Sequence, residues 1–153
     1  GAVDKARARA LLEELPRMRG SVRARQVLAD ADGRAESPAE TLSRIRLTAM
    51  DLAPSALQYP VHDNDGRLIG RTDFAWEDER VLGEYDGEAK YFDLDPDATP
   101  REVLMREKWR EQRLRDAGWV VVRWGKRELS SPALLGRMIR DAMDSARRHG
   151  LAA

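Results

Sequence analysis

Two short runs, 72–76 (Thr-Asp-Phe-Ala-Trp) and 81–85 (Val-Leu-Gly-Glu-Tyr), set the tightest limit on what this chain can become. Both favour extended backbone, and a charged turn at Asp78-Glu79 lies between them, so the stretch reads as an antiparallel hairpin. A two-residue turn there pairs Asp73 with Glu84, their Cβ atoms roughly 5 Å apart. Because side chains alternate along a strand, Asp86 joins Glu84 on one face, while Phe74, Trp76, Val81 and Tyr85 turn into a core. Like charges directly opposite each other weaken a sheet unless a cation lies between them. Asp73, Glu84 and Asp86 are therefore candidate ligands of a divalent metal, Mg²⁺ or Mn²⁺. The plainer alternative is a solvated pair of acids on an exposed strand.

Charge is distributed to match. The net charge is zero, but residues 60–98 carry twelve acidic and four basic side chains, and residues 101–127 carry nine basic and four acidic. Residues 5–25 add seven basic and two acidic. Carboxylates can hold a cation and arginines a polyanion, so an acidic centre between basic flanks suits a metal-dependent phosphodiesterase. Solvated helix faces would give the same runs.

Around the hairpin the expected elements follow from capping and periodicity. Residues 4–15 have helical composition, with Leu11, Leu12 and Leu15 as apolar positions and Pro16 as an interruption; residues 21–29 form a second helix with Ser21 as N-cap. Ser37-Pro38-Ala39-Glu40 opens a third helix, ended by Pro54, in which Glu40 closes a capping box. A helical wheel sets Glu40 with Arg44, Leu47 and Asp51, opposite Leu42, Ile45 and Ala49. Residues 56–61 read as a strand, and His62-Asp63-Asn64-Asp65-Gly66 as a turn.

After Gly87 comes an acidic loop that carries Lys90, a candidate general base or charge stabiliser, with a plain surface lysine as the competing reading. Thr99-Pro100-Arg101-Glu102 caps a helix to about Ala117, along which Arg106, Arg110 and Arg113 form a basic stripe suited to phosphate. Intrahelical pairing with Glu102 and Glu107 is the competing reading. Residues 119–124 are nearly all apolar, as in a strand covered on both faces, and Arg123 near its end is a further candidate phosphate contact. Ser131-Pro132 starts a last helix to about Arg148, with Leu134, Leu135, Met138, Ile139 and Met143 on its apolar side.

Asp73, ten intervening residues, Glu84-Tyr85-Asp86-Gly87, Lys90, a basic helix and the strand Gly118-Trp119-Val120-Val121-Val122-Arg123 together resemble the PD-(D/E)XK nuclease superfamily. Within it the chain is most similar to the very-short-patch-repair-like branch, over about residues 37–148. The resemblance implies an α/β, restriction-endonuclease-like core: a mixed four-stranded sheet flanked by helices. It implies Mg²⁺ (or Mn²⁺) held by Asp73, Glu84 and Asp86, with Glu40 completing the acidic cluster. The superfamily's lysine, two residues after the acidic position, is Asp86 here, and Lys90 is read as its relocated equivalent. The activity implied is hydrolysis of nucleic acid, DNA foremost, to a 5′-phosphate and a 3′-hydroxyl.

The domain organisation expected is a helical appendage or linker over 1–36 and a nuclease-like domain over 37–153. The Gly-Ala start in place of Met points to a fragment of a longer protein with a further N-terminal domain. No run approaches 18 apolar residues, so no membrane partner is expected. Absent cysteine removes disulfides and thiolate chemistry and suits a cytoplasmic location. His62 and His149 are too few and too far apart for a histidine metal site. The alternative function is a catalytically weakened nuclease fold that binds nucleic acid or protein as a regulatory module, for example beside an antitoxin-like DNA-binding domain.

Overall fold

The computed structural model describes residues 4–14, 20–87 and 99–150. It divides into two units, Gly1–Gly33 and Arg34–Ala153.

The first unit is a pair of helices, α1 (Lys5–Glu14) and α2 (Ser21–Asp30). Lys5 Nζ donates to the carbonyls of Ala29 and Ala31 at 2.9 and 2.6 Å, which puts a positive charge on the open C-terminal carbonyls of α2. Arg25 donates to the Leu12 carbonyl at 3.1 Å. Ser21 is not the cap expected: it is the first helical residue, and Gly20, at φ 94°, precedes it without a side-chain bond. Leu11 is 55 % exposed, so the apolar positions of α1 do not build a core of their own.

The second unit begins with α3 (Pro38–Thr48), β1 (Ala56–His62), β2 (Leu68–Trp76) and β3 (Val81–Tyr85). It continues with α4 (Pro100–Asp116), β4 (Val120–Trp124), α5 (Lys126–Ser130) and α6 (Pro132–Arg148). The strands form one sheet in the order β1-β2-β3-β4. β1, β2 and β3 are successive antiparallel neighbours, and β4 lies parallel to β3 after the α4 crossover. This is the mixed four-stranded α/β sheet expected.

Both faces of that sheet are covered. On one, Phe74, Trp76, Val81 and Trp124 pack with Leu47, Leu135 and Ile139 of α3 and α6. On the other, Ala75, Leu82 and Val61 pack with Leu114 of α4, with Ala117 just past its end and with Trp119. That double cover explains why residues 119–124 read as continuously apolar although β4 is an edge strand. The buried indoles keep their polar atoms paired: Trp76 Nε1 donates to the Leu52 carbonyl at 3.0 Å and Trp124 Nε1 to Ser43 Oγ at 2.9 Å.

Two local expectations for α3 are corrected. The helix stops at Thr48, well before Pro54, because Asp51 takes a left-handed φ of 57° and the Leu52 amide turns back to the Leu47 carbonyl at 2.9 Å. Its buried residues are Glu40, Ser43 and Leu47, whereas Leu42 is 40 % exposed and Ala49 is exposed too. The wheel had the inward face reversed, because Glu40 goes in with its hydrogen-bond partners rather than staying out with its charge. The short helix α5 carries no signal that the sequence reading used.

Candidate functional site

The hairpin register is the one the sequence implies. Phe74 pairs with Gly83, Ala75 with Leu82 and Trp76 with Val81, and the Arg80 amide closes the turn on the Glu77 carbonyl at 3.1 Å. The paired residues end at Phe74 and Gly83, and one step further the same register sets the position of Asp73 against that of Glu84. There the ladder gives way to a side chain: Asp73 Oδ2 accepts the Tyr85 amide at 2.8 Å. A backbone donor that has left the sheet pattern needs such an acceptor.

Asp73 and Glu84 are drawn to different neighbours. Asp73 lines a small pocket with Glu40 and Arg44 of α3, Leu57 and Gln58 of β1, and Phe74. Glu40 is 4 % exposed and fully engaged: one oxygen accepts from Ser37 Oγ at 2.8 Å, the other from the Glu36 amide at 2.8 Å and Gln58 Nε2 at 3.0 Å. The expected capping box is only half made: Ser37 Oγ accepts the Glu40 amide at 3.1 Å, but the Glu40 carboxylate reaches back to the Glu36 amide and the Ser37 hydroxyl rather than to the Ser37 amide, while the same residue lines the pocket with Asp73.

Gln58 is the contributor that sequence reading missed. Leu57 pairs with Phe74 and Tyr59 with Thr72, so Gln58 falls opposite Asp73. Its φ is +51°, unusual for a residue inside a strand. The strand alternation slips there: Ala56, Tyr59 and Val61 serve the α4 side, while Leu57 serves the α3 side. Backbone strain that re-aims a side chain is frequent at functional sites, and here it delivers the Gln58 amide to Glu40. A glutamine between Leu57 and Tyr59 carries no sequence signal of that role.

Glu84 lies in a cluster of opposite charges. Arg123 stands opposite it in the β3–β4 register, and Arg123 Nε donates to Glu84 Oε2 at 3.0 Å. Arg110 of α4 reaches both Glu84 oxygens, at 3.3 Å to Oε2 and closer still to Oε1. Arg123 also pairs with Glu107 and with Glu111, the latter at 3.3 Å, and Arg110 pairs with Glu107 at 3.3 Å. Arg115 completes the set on Glu111. Three carboxylates and three guanidiniums balance. Burial by itself pushes the Glu84 carboxyl upward, but the hydrogen bonds and charge of Arg110, followed by those of Arg123, outweigh it and hold the group below its ordinary range.

The remaining candidates scatter. Arg113 pairs with Asp63 at 3.2 Å, in the turn where Asp63 Oδ1 accepts the Asp65 and Arg67 amides at 3.1 and 2.8 Å. Arg106 is exposed on α4, so the stripe of Arg106, Arg110 and Arg113 does not act as one surface: Arg110 faces in. Asp86, just past β3, is exposed, and its amide extends the ladder to the Trp124 carbonyl at 2.9 Å. Lys90 lies outside the described residues.

Carboxylate oxygens suit a hard divalent cation, but their arrangement here does not. Among the described residues no three acidic or histidine side chains come together as a cation would need. Glu40 and Glu84 have both oxygens engaged by donors of the protein, and Asp73 has one on Tyr85. As they stand, these side chains do not fit Mg²⁺ or Mn²⁺.

What the fold and site define is an α/β domain with a half-buried carboxylate–arginine cluster at the open end of a hairpin. In comparison with known proteins, no family model and no solved structure matches the chain. It is 40 % identical over 104 residues to an uncharacterized protein of Mycobacterium tuberculosis strain H37Rv, and equally to one of strain CDC 1551 / Oshkosh. Each match covers 68 % of this chain and 35 % of the relative, so the chain spans about a third of the length of these proteins. Among the described residues no helix is long and apolar enough to cross a membrane.

Proposed function

We propose that the unit Arg34–Ala153 is a nuclease-type domain that hydrolyses phosphodiester bonds in nucleic acid. The observation that carries this reading is the register of β2 and β3, which brings Asp73 to the step facing Glu84, with Glu40 beside Asp73 across the α3 pocket. The element order supports it as well: helix, three antiparallel strands, crossover helix, parallel strand, helix is the core that the resemblance implies. In this reading Glu84 must exchange Arg110 and Arg123 for another partner before it takes part, and those two arginines then become available to phosphate.

A second reading has its own observation. The two-arginine grip on Glu84, together with Asp86 where the superfamily has lysine, favours a domain that binds nucleic acid without cutting it. Incubation of the protein with supercoiled plasmid and with single-stranded DNA and RNA, in Mg²⁺, in Mn²⁺ and in chelator, separates the two. Cation-dependent cleavage that disappears in Asp73→Ala supports the enzyme. Retained binding without cleavage supports the binding module, and absence of both removes both.

A further inference from the structure

We infer that the guanidinium of Arg123, with that of Arg110 beside it, fills the place that the resemblance gives to a divalent cation, and that this contact keeps Mg²⁺ and Mn²⁺ off Glu84 while the domain is free of nucleic acid. The inference rests on the nucleic-acid reading above for what the site meets, and adds how the site is held closed.

Three carboxylates converge on one guanidinium. Glu84 accepts Arg123 Nε at 3.0 Å, Glu111 accepts Nη1 at 3.3 Å and Glu107 accepts Nη2, so each nitrogen of the planar ion has its own acid. Glu84 comes from β3, Arg123 from β4, and Glu107 and Glu111 from neighbouring turns of α4, so the cage exists only where the three elements meet. Carboxylates gathered around a positive charge are what a hard cation asks for. Here the protein supplies that charge itself, on a group that stays protonated at every working pH.

Arg110 closes what is left of Glu84. It donates from Nη1 to Oε2 at 3.3 Å and from Nη2 to Oε1, and its Nη2 is anchored on the Arg71 carbonyl at 3.1 Å. Gly70 of β2 gives it room, since a Cβ there would lie 3.0 Å from Arg110 Nε. The Glu84 side chain keeps only 15 % of its surface open. With Arg115 on Glu111 the acids and guanidiniums of the cluster balance, so a cation in solution meets no net attraction. An ion that forced its way to Glu84 would leave two displaced guanidiniums beside its own charge, and at such short range that repulsion is large. Entry therefore needs a group that takes the guanidiniums away, and phosphate does so in the bidentate manner of a carboxylate.

The test is Mn²⁺ binding in the absence of nucleic acid, read by calorimetry and by the paramagnetic resonance of the free ion, on the wild type, Arg123→Ser and Arg110→Gln, each with and without Glu84→Gln. The wild type is expected to show no Mn²⁺ site that depends on Glu84. Arg123→Ser is expected to gain one, seen also as a rise in melting temperature with Mn²⁺ that the wild type lacks, and to lose it again when Glu84→Gln is added. Arg110→Gln, which keeps Arg123 to join the strands, is expected to gain a weaker site, and it decides the matter if Arg123→Ser does not fold. A Glu84-dependent Mn²⁺ site in the wild type overturns the inference, and so do folded variants that take no more Mn²⁺ than the wild type. Either result leaves the proposed function standing, because the plasmid assay with Asp73→Ala decides that separately.

Discussion

Arg123 on β4 stands opposite Glu84 on β3 in the parallel register and joins it at 3.0 Å, so the residue expected to hold a cation holds a guanidinium. The pair sits where β3, β4 and α4 meet and is mostly shielded: Glu84 is 15 % and Arg123 30 % exposed at the side chain. Removing one partner from such a cluster leaves the other's charge short of a mate, which costs more than the pair itself contributes.

Glu84→Gln is accordingly expected to lower stability at pH 7 by about 2 kcal/mol, less than for a fully buried pair because solvent reaches the cluster. The pH dependence carries the sign. The folded-state pKa of Glu84 is depressed, so its contribution is present above the ordinary glutamate range and is lost as pH falls through the folded value. Thermal melts of the wild type and Glu84→Gln should therefore lie well apart at pH 7 and converge in acid. A gap of the same size at both ends would mean that the arginines do not set the Glu84 titration.

Gly83 of β3 has no room for a side chain. A Cβ there would lie 2.7 Å from the Trp124 ring and 3.0 Å from that of Trp76. Gly83→Ala should cost about 1–3 kcal/mol through overpacking, measured as a shift of the urea midpoint with an unchanged m-value. A neutral result would show that the two indoles can retreat.

At the start of α3, Ser37→Ala removes the hydroxyl that accepts the Glu40 amide at 3.1 Å and should cost about 1 kcal/mol. Glu40→Ala should cost more, since the Glu36 amide and the Gln58 side chain lose their acceptor as well. The ranking of the two by chemical denaturation is the check; the reverse order would make Glu40 a surface cap only.

For Asp73, the amide of Tyr85 separates structure from chemistry. Asp73→Asn keeps an oxygen for that donor, so it should lose any cleavage but less stability than Asp73→Ala, which should lose both cleavage and about 1–2 kcal/mol. Cleavage that survives Asp73→Asn at the wild-type rate would take Asp73 out of the proposed chemistry.

Local order determined much of this protein from the sequence alone. The alternation in 72–76 and 81–85 fixed the hairpin and its register, because a one-residue slip would have turned Phe74 and Trp76 out of the core. Capping at Ser37 and Thr99 placed the starts of α3 and α4, because those hydrogen bonds close within a few residues. Tertiary structure decided what the site residues do. Arg110 reads as part of an outward basic stripe until Leu114 packs under Ala75 and Leu82 and turns that side of α4 inward, with Glu107 and Glu111 on it. Gln58 reads as an ordinary strand residue until its reversed φ aims it at Glu40. The partners that Gln58 gives Glu40 and Arg123 gives Glu84 lie 18 and 39 positions away along the chain, and no local pattern carries that distance.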